Sequence, residues 1–182
     1  MPGKYKPTLA HYLPVIFDRH NLLKRVYTQN IDGLERIAGI PSDKLVECHG
    51  TYYKAHCLKC QKEYDLNDIR GQMEKGEVPK CKKCKNGVIK PDIVFFGEKL
   101  PDRYFELSKN DFKDCDLFII IGTSLQICPV NYLPTYVDEE VPRILINNEI
   151  VNTYDEELTL KRIEIEEKKN QDEKSENSED KD

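Results

Sequence analysis

Two Cys-x-x-Cys pairs, Cys57–Cys60 and Cys81–Cys84, constrain the fold of this chain more than any other feature. Two residues between cysteines let one tight turn direct both thiolates at a single ion, and a second pair completes a tetrahedron. The alternative is two disulfides or four unrelated core cysteines, but the chain has 7 cysteines, an odd number that fits disulfides poorly. The spacing therefore predicts one structural Zn²⁺ ion bound by Cys57, Cys60, Cys81 and Cys84, with no coordination position open for chemistry.

Composition indicates the compartment and excludes some partners. The 182 residues carry a formal net charge of -5, which disfavours non-specific binding to nucleic acid. We find no secretory signal and no apolar run long enough to span a bilayer. We therefore expect a nuclear or cytoplasmic protein in a reducing compartment, with no direct contact to nucleic acid or membrane.

The C-terminal part of the chain differs from the rest. From about Lys161 to Asp182 almost every side chain is charged or polar, and none is aromatic. Such a segment cannot bury enough apolar surface to offset its ordering entropy. Residues 156–182 are therefore predicted to be a disordered charged tail, either a solubilising extension or an acidic interaction segment.

The order of apolar segments predicts an α/β fold with a parallel sheet. Leu9–Phe17 has the apolar period of a helix, and Arg103–Phe112 is also compatible with a helix. Leu22–Thr28, Asp116–Ile121 and Pro142–Ile146 are apolar or β-branched and are predicted strands. Strands separated by helical segments favour a parallel sheet. Residues 55–90 are predicted to form a small zinc-binding module, inserted into a sheet domain made of residues 1–54 and 91–155.

Small polar residues follow each of the three predicted strands: Gln29–Gly33, Gly122–Ser124 and Asn147–Glu149. In open α/β sheets, ligands bind beyond the carboxyl ends of the strands, so the three sets are candidates for one binding site. Glycine permits close approach of the backbone, hydroxyls suit phosphate or ribose, and an acid suits a ribose hydroxyl. The alternative is that these are ordinary turn and cap residues. Three sets in succession favour a nucleotide, although the chain contains no G-x-G-x-x-G and no P-loop.

His49 is the candidate catalytic base. It lies in Glu47-Cys48-His49-Gly50, just upstream of the first cysteine pair. Histidine is the side chain best suited to accept a proton near neutral pH. The alternative for a lone histidine is a surface or structural role.

Six motifs occur in a defined order between about Lys6 and Val151, and together they resemble the sirtuin family, the NAD-dependent protein-lysine deacylases. The histone-deacetylase-type branch is the most similar. An ordered set of motifs is far more specific than any one of them. The motifs are YTQNID (27–32), CHG (48–50), the pair CLKC and CKKC, KPDIVFFGE (90–98), GTSLQ (122–126) and LINNE (145–149).

The resemblance implies a Rossmann-like domain and a zinc ribbon, with NAD and one structural Zn²⁺ as cofactors. It implies deacetylation of lysine in acetylated proteins such as histones, with the acyl group transferred to ADP-ribose and nicotinamide released. His49 is then the general base. The implied cofactor-binding residues are Gln29, Asn30, Ile31, Asp32, Gly122, Thr123, Ser124, Asn147, Asn148 and Glu149. The implied substrate-binding residues, which form an apolar tunnel and a strand edge, are Val94, Phe95, Phe96, Gly97 and Glu98.

The resemblance is incomplete at both ends of the chain. The family's opening strand, its glycine-rich turn and a loop with an Asp-Phe-Arg signature should precede Lys6, and further sheet and helix should follow Val151. We therefore expect a truncated or alternatively spliced product, or an incomplete gene model, with impaired NAD affinity and little or no activity. The alternative function is a catalytically silent zinc-ribbon module that binds acylated peptides or protein partners.

Overall fold

A computed structural model describes residues 4–151 of the chain. Residues 1–3 and 152–182 lie outside the described part, and with them the predicted charged tail at 156–182. The chain divides into two compact units, Met1–Lys109 and Asn110–Asp182. The division falls within a helix, Asp102–Asp111, and not at the boundaries of residues 55–90 that the sequence predicts.

The first unit begins with a helix and a pair of parallel strands. The elements are α1 (Leu9–Arg19), β1 (Val26–Thr28), α2 (Leu34–Ala38), a 3-10 turn (Ser42–Lys44) and β2 (Leu45–Glu47). The predicted helix at Leu9–Phe17 is confirmed and extends to Arg19. Of the predicted strand Leu22–Thr28, only the last three residues pair with another strand. Leu22 is exposed, and the chain up to Arg25 is not part of a β ladder.

Parallel pairing of β1 with β2 brings the carboxyl ends of both strands to the same edge. Val26 pairs with Leu45, and Thr28 pairs with Glu47. Val15 of α1, Ile40 and Leu45 form the buried apolar cluster beneath these strands. The residues that follow Thr28 and Glu47 therefore leave the sheet side by side.

An antiparallel sheet of order β4-β3-β5 carries the cysteine pairs. Its elements are β3 (Gly50–Cys57), β4 (Glu63–Asp65), α3 (Leu66–Glu74) and β5 (Ile89–Ile93). Strand β3 runs through the predicted boundary at 54/55, so the ribbon's sheet already begins at Gly50. Ala55, Tyr64, Ile69 and Ile89 pack with the cysteines in one buried cluster.

The remaining elements include a second pair of parallel strands. They are α4 (Asp102–Asp111), β6 (Phe118–Ile121), a 3-10 segment (Val130–Tyr136) and β7 (Arg143–Ile146). The pairing runs from Phe118↔Arg143 to Ile121↔Ile146. Predicted strand Asp116–Ile121 begins two residues late because Asp116 and Leu117 are exposed.

The chain is therefore an α/β protein with parallel sheet segments and a four-cysteine ribbon, as the sequence predicts. Between residues 4 and 151 the parallel strands form two separate pairs, β1-β2 and β6-β7. In the same range, every helix is too short or too polar to cross a membrane.

Candidate active site and zinc site

The four cysteines of the two Cys-x-x-Cys pairs converge. The Sγ atoms of Cys57 and Cys84 lie 3.6 Å apart, as do those of Cys60 and Cys81. All four sulfur atoms lie within 4.8 Å of one another. A tetrahedral Zn²⁺ ion with Zn–S bonds of ~2.3 Å requires sulfur–sulfur separations of about 3.8 Å. The geometry and the soft donor set therefore fit a closed structural zinc site.

A tyrosine outside the cysteine motifs supports this site. The hydroxyl of Tyr64 accepts the N–H of Lys82 (3.0 Å) and lies 3.1 Å from Cys81 Sγ, to which it donates when that sulfur is a thiolate. Burial raises the pKa of Cys81, but this hydroxyl and neighbouring N–H groups outweigh burial and lower it to about 6. Sequence reasoning missed Tyr64, although an aromatic residue four positions after Cys60 was the available signal.

The crowding of the sulfur atoms also favours a bound cation. Burial and the close sulfurs of Cys57, Cys81 and Cys60 raise the pKa of Cys84 to about 12. Four thiolates cannot all ionise at such short separations without an opposite charge. A divalent cation at the centre supplies that charge, so the donor set again fits Zn²⁺.

Because Gly87 has no side chain, the sulfur atoms of the four cysteines can occupy the space beside it. A Cβ at this position would overlap Cys57 Sγ and lie 2.8 Å from Cys84 Sγ. We expect Gly87→Ala to lower zinc content to well below one ion per chain, because sulfur atoms must move out of tetrahedral positions. Metal analysis of the purified variant measures this.

Gly71 in helix α3 provides the matched control for Gly87. A Cβ at Gly71 would meet no atom within 4 Å, and alanine is favoured in helices. Gly71→Ala should therefore retain a full zinc ion. Equal zinc content in both variants contradicts the tight packing around Gly87.

His49 lies in the short turn between β2 and β3, at the carboxyl ends of the parallel strands. The N–H of Cys48 donates to the C=O of Thr28 (2.9 Å) and continues the parallel ladder. The C=O of His49 accepts the N–H of Val94 (2.9 Å). Gly50 follows with φ +75, where a Cβ would collide with the main chain of β5. The backbone on both sides of His49 is therefore fixed.

The hydrogen bond of the imidazole ring identifies its basic nitrogen. Nδ1 of His49 lies 3.0 Å from the C=O of Gln29. A carbonyl oxygen can only accept, so Nδ1 carries the proton and Nε2 of the neutral ring holds the lone pair. The neighbouring thiol of Cys48 is fully buried, and burial raises its pKa to about 12. Nε2 of His49 is thus the group of this turn that can accept a proton, and its role as a catalytic base stays a prediction.

The predicted cofactor-binding residues Gln29–Asp32, for which the resemblance implies contact with the nicotinamide of NAD, follow β1 in a hydrogen-bonded turn. The N–H of Asn30 donates to Thr28 Oγ1 (3.2 Å), and Asp32 Oδ1 accepts the N–H of Leu34 at the start of α2 (3.0 Å). The side chain of Asn30 is exposed. The half-buried residues of the turn are Gln29, Ile31 and Asp32. The structure therefore places His49 directly against this segment.

The second unit contains the other polar strand ends. Gly122, with φ +60, donates its N–H to the C=O of Ile146 (3.0 Å). Nδ2 of Asn147 donates to the main-chain oxygens of Thr123 (3.1 Å) and Glu149 (2.9 Å), which joins the ends of β6 and β7. Ordinary turns make hydrogen bonds of the same kind. The exposed members are Gly122, Ser124, Asn148 and Glu149. The predicted nucleotide set is divided between two units, and its convergence on one ligand stays a prediction.

The predicted substrate segment follows β5 and does not continue it. The strand ends at Ile93, and Phe95 and Phe96 are 51% and 98% exposed. Phe95 and Phe96 are therefore not part of a buried strand, which an apolar segment of this kind could otherwise form. Gly97, with φ +85, lies in a turn that the N–H of Glu98 closes on the C=O of Phe95 (2.9 Å).

A cavity of about 330 Å³ beside β2 has charged walls, and sequence reasoning did not anticipate it. Its walls include Arg36, Glu47 and Arg103. Arg36 pairs with Glu47 through two hydrogen bonds (2.9 and 2.5 Å), and Arg103 donates to the C=O of Leu45 (3.2 Å). These charged groups are engaged by the protein itself, and His49 does not line the cavity.

Comparison with known proteins identifies relatives over most of the chain. The model of the Sir2 family matches residues 1–129. NAD-dependent protein deacetylase sirtuin-2 of Danio rerio is 48% identical over 150 residues, which cover 81% of this chain and 39% of that protein. NAD-dependent protein deacetylase sirtuin-3 of Mus musculus is 47% identical over 153 residues, 84% of this chain and 45% of its own length.

A fungal relative is similar over a comparable part of the chain. NAD-dependent protein deacetylase hst2 of Schizosaccharomyces pombe is 44% identical over 156 residues, covering 86% of this chain and 47% of that protein. The chain thus spans less than half the length of these curated relatives.

Proposed function

Because the chain belongs to the Sir2 family, we propose that it carries the base and nicotinamide-side residues of an NAD-dependent protein-lysine deacetylase. The reaction transfers the acyl group of an acetylated lysine to ADP-ribose and releases nicotinamide. The hydrogen bond from His49 Nδ1 to the C=O of Gln29 is the observation that carries this proposal. It aims a basic Nε2 away from the turn that is proposed to bind nicotinamide.

His49 acts as a general base on a ribose hydroxyl in this proposal. Nε2 accepts the hydroxyl proton, and the C=O of Gln29 stabilises the imidazolium because it already holds Nδ1–H. NAD, when bound, supplies the anomeric carbon that the acyl oxygen attacks and the nicotinamide that leaves. A fixed tautomer means that no ring rotation is needed before proton transfer.

The Gln29–Asp32 segment binds and orients the nicotinamide in this proposal. Amide and carboxylate groups can hold a carboxamide by hydrogen bonds, and the exposed side chain of Asn30 is available for this. In the second unit, Gly122–Ser124 and Asn147–Glu149 are proposed to meet phosphate and ribose oxygens. The zinc site has no open position, so its role is to hold the ribbon's fold.

The substrate is proposed to be a peptide segment with an acetylated lysine. Strand β5 is at the edge of its sheet, and the C=O of His49 binds Val94 at the end of that strand. An extended peptide can join such an edge through main-chain hydrogen bonds that are largely independent of its sequence. The proposed partners are therefore acetylated proteins, such as histones, in the nucleus or the cytoplasm.

A second candidate is a silent module that binds acylated peptides or protein partners without turnover. The observation in its favour is that the zinc site and the β5 edge both lie within the first unit, whereas the nucleotide residues are divided between two units. Peptide binding does not require the second unit in this reading.

Calorimetry with NAD and with an acetyl-lysine peptide distinguishes the two candidates. We expect NAD binding, and a loss of affinity of at least about fivefold in Asn30→Ala, because a hydrogen-bonding amide is removed. Asn67→Ala, on the exposed surface of α3, is the matched control and should bind NAD as the unsubstituted chain does. Peptide binding without any NAD binding supports the silent module and contradicts the enzyme.

A further inference from the structure

The edge of strand β5 opposite β3 is bound at its start, where the N–H of Ile89 donates to the C=O of Pro79 (2.9 Å), and the strand ends next to the proposed base. It pairs with β3 on one side, and no other strand within residues 4–151 pairs with it. Beyond Ile93, the last residue of the strand, the N–H of Val94 is bound by the C=O of His49 (2.9 Å). His49 therefore lies at the β3 side of this strand, and a peptide added along the opposite edge would meet the chain beyond Ile93, provided that this chain holds a defined shape.

The chain beyond Ile93 is a tight turn with an exposed tip. Glu98 donates its N–H to the C=O of Phe95 (2.9 Å), and Gly97 has φ +85 at the third position, which is typical of a type II turn. Phe96 at the tip is 98% exposed. One main-chain hydrogen bond does not offset the entropy of ordering such a turn, so its shape depends on side-chain contacts.

Lys90 and Glu98 supply those contacts. Oε2 of Glu98 accepts the N–H of Phe95 (2.9 Å) and the ammonium of Lys90 (3.0 Å). The same ammonium donates to the C=O of Ile93 (2.7 Å) and lies 4.4 Å from the centre of the Phe95 ring. One cation thus joins the end of β5, the carboxylate that closes the turn and an aromatic side chain of the turn.

This pair is too exposed to be required for folding. The side chains of Lys90 and Glu98 are 22% and 45% exposed, and ion pairs of this kind contribute little to stability. The N–H of Phe95 and the ammonium of Lys90 lower the pKa of Glu98, so its carboxylate is charged at neutral pH and the contacts are made. A local effect on the turn is therefore separable from an effect on the fold.

We propose that Lys90 and Glu98 form a clasp that sets the Val94–Gly97 turn in the conformation that binds the acetyl-lysine peptide. Both are positioning residues, since they act through the turn and not on the reacting atoms. The inference rests on the proposed function and adds Lys90, which the sequence motifs leave without a role.

The test uses the full chain loaded with zinc and a fluorescent acetyl-lysine peptide, followed by anisotropy without NAD. We expect Glu98→Gln and Lys90→Met each to weaken peptide binding about tenfold, because each removes a charge-assisted hydrogen bond that orders the turn. Lys90→Arg, which keeps the cation, should restore most of the affinity. Zinc content should stay at one ion in all three variants.

The neighbouring exposed ion pair of Lys99 and Asp102 (2.9 Å) provides the matched control. Asp102→Asn removes the same kind of charge without touching the turn, and should bind peptide within about twofold of the unsubstituted chain. Amide hydrogen exchange at Phe95 gives an independent measurement, because the acceptor of its N–H loses its negative charge in Glu98→Gln and its counterion in Lys90→Met, and neither in the control.

Three outcomes are distinguishable. Weaker peptide binding in both clasp variants, faster exchange at Phe95 and recovery in Lys90→Arg support the clasp. Unchanged binding despite faster exchange at Phe95 overturns its role in the substrate site. If the unsubstituted chain binds no peptide while Phe95 stays protected, the proposed function has failed. The role of the clasp in substrate binding is then overturned as well, for that separate reason.

Discussion

His49→Ala should reduce the rate of nicotinamide release from NAD and an acetyl-lysine peptide by at least about 100-fold. A positioned general base contributes a factor of ~100 to 10,000, and a factor of 100 corresponds to about 2.7 kcal/mol of activation free energy. The substitution removes the imidazole ring and with it Nε2, so that only the C=O of Gln29 remains at this position. A comparison with the unsubstituted chain remains informative when turnover is slow, because both proteins share the same nucleotide site.

His20→Ala is the control for this measurement. His20 follows helix α1, is exposed and lies outside the proposed site, so we expect its rate to equal that of the unsubstituted chain. Far-UV circular dichroism and zinc content should be the same in all three proteins. Equal rates in His49→Ala and His20→Ala would show that another group accepts the proton.

Removal of zinc should unfold the ribbon. The ligands themselves are part of the small buried cluster of this module, since Cys57 and Cys81 lie in it and Cys60 and Cys84 pack against it. Zinc binding by small structural sites is worth about 10–16 kcal/mol at neutral pH, which is more than so small an apolar cluster can replace. We expect chelation, or Cys60→Ser, to abolish amide protection from Cys57 to Ile89.

The loss should extend to the proposed active site, because β3 connects the two. This strand begins at Gly50, directly after His49, and ends at the ligand Cys57. Acetyl-lysine peptide binding should therefore fall with zinc content. Cys128→Ser, at an exposed cysteine outside the cluster, should leave zinc content, protection and binding unchanged. Retained protection after complete loss of zinc contradicts a folding role for the metal.

Local patterns in the sequence predicted the parts of this protein that depend on local geometry. The two-residue spacing within each cysteine pair predicts a turn that aims both sulfurs at one point, and the four sulfurs do converge. The apolar period of Leu9–Phe17 predicts a helix and is confirmed. Strand lengths were less predictable, because β1 is defined by its pairing with β2 and not by the apolar run that starts at Leu22.

Contacts between residues distant in sequence were not predictable from any pattern. Tyr64 contacts Cys81 only because β3, β4 and the Cys81–Cys84 pair fold together. For the same reason, Gly87 leaves room for the sulfur atoms. Lys90 begins the KPDIVFFGE motif, but its proposed role emerges only from the two acceptors and the aromatic ring that surround its ammonium. These features depend on the relative placement of separate segments.

The amino-acid sequence alone determined the metal ligands, the family and the candidate base, because these depend on residue type and short spacing. The tertiary structure alone decided which nitrogen of His49 carries the lone pair and which side chains hold the Val94–Gly97 turn. A proton on Nδ1 is defined by the C=O of Gln29, which lies twenty positions away in the chain and 3.0 Å away in space. That contact exists because two parallel strands end at the same edge of a sheet, and such pairing is a property of the folded chain.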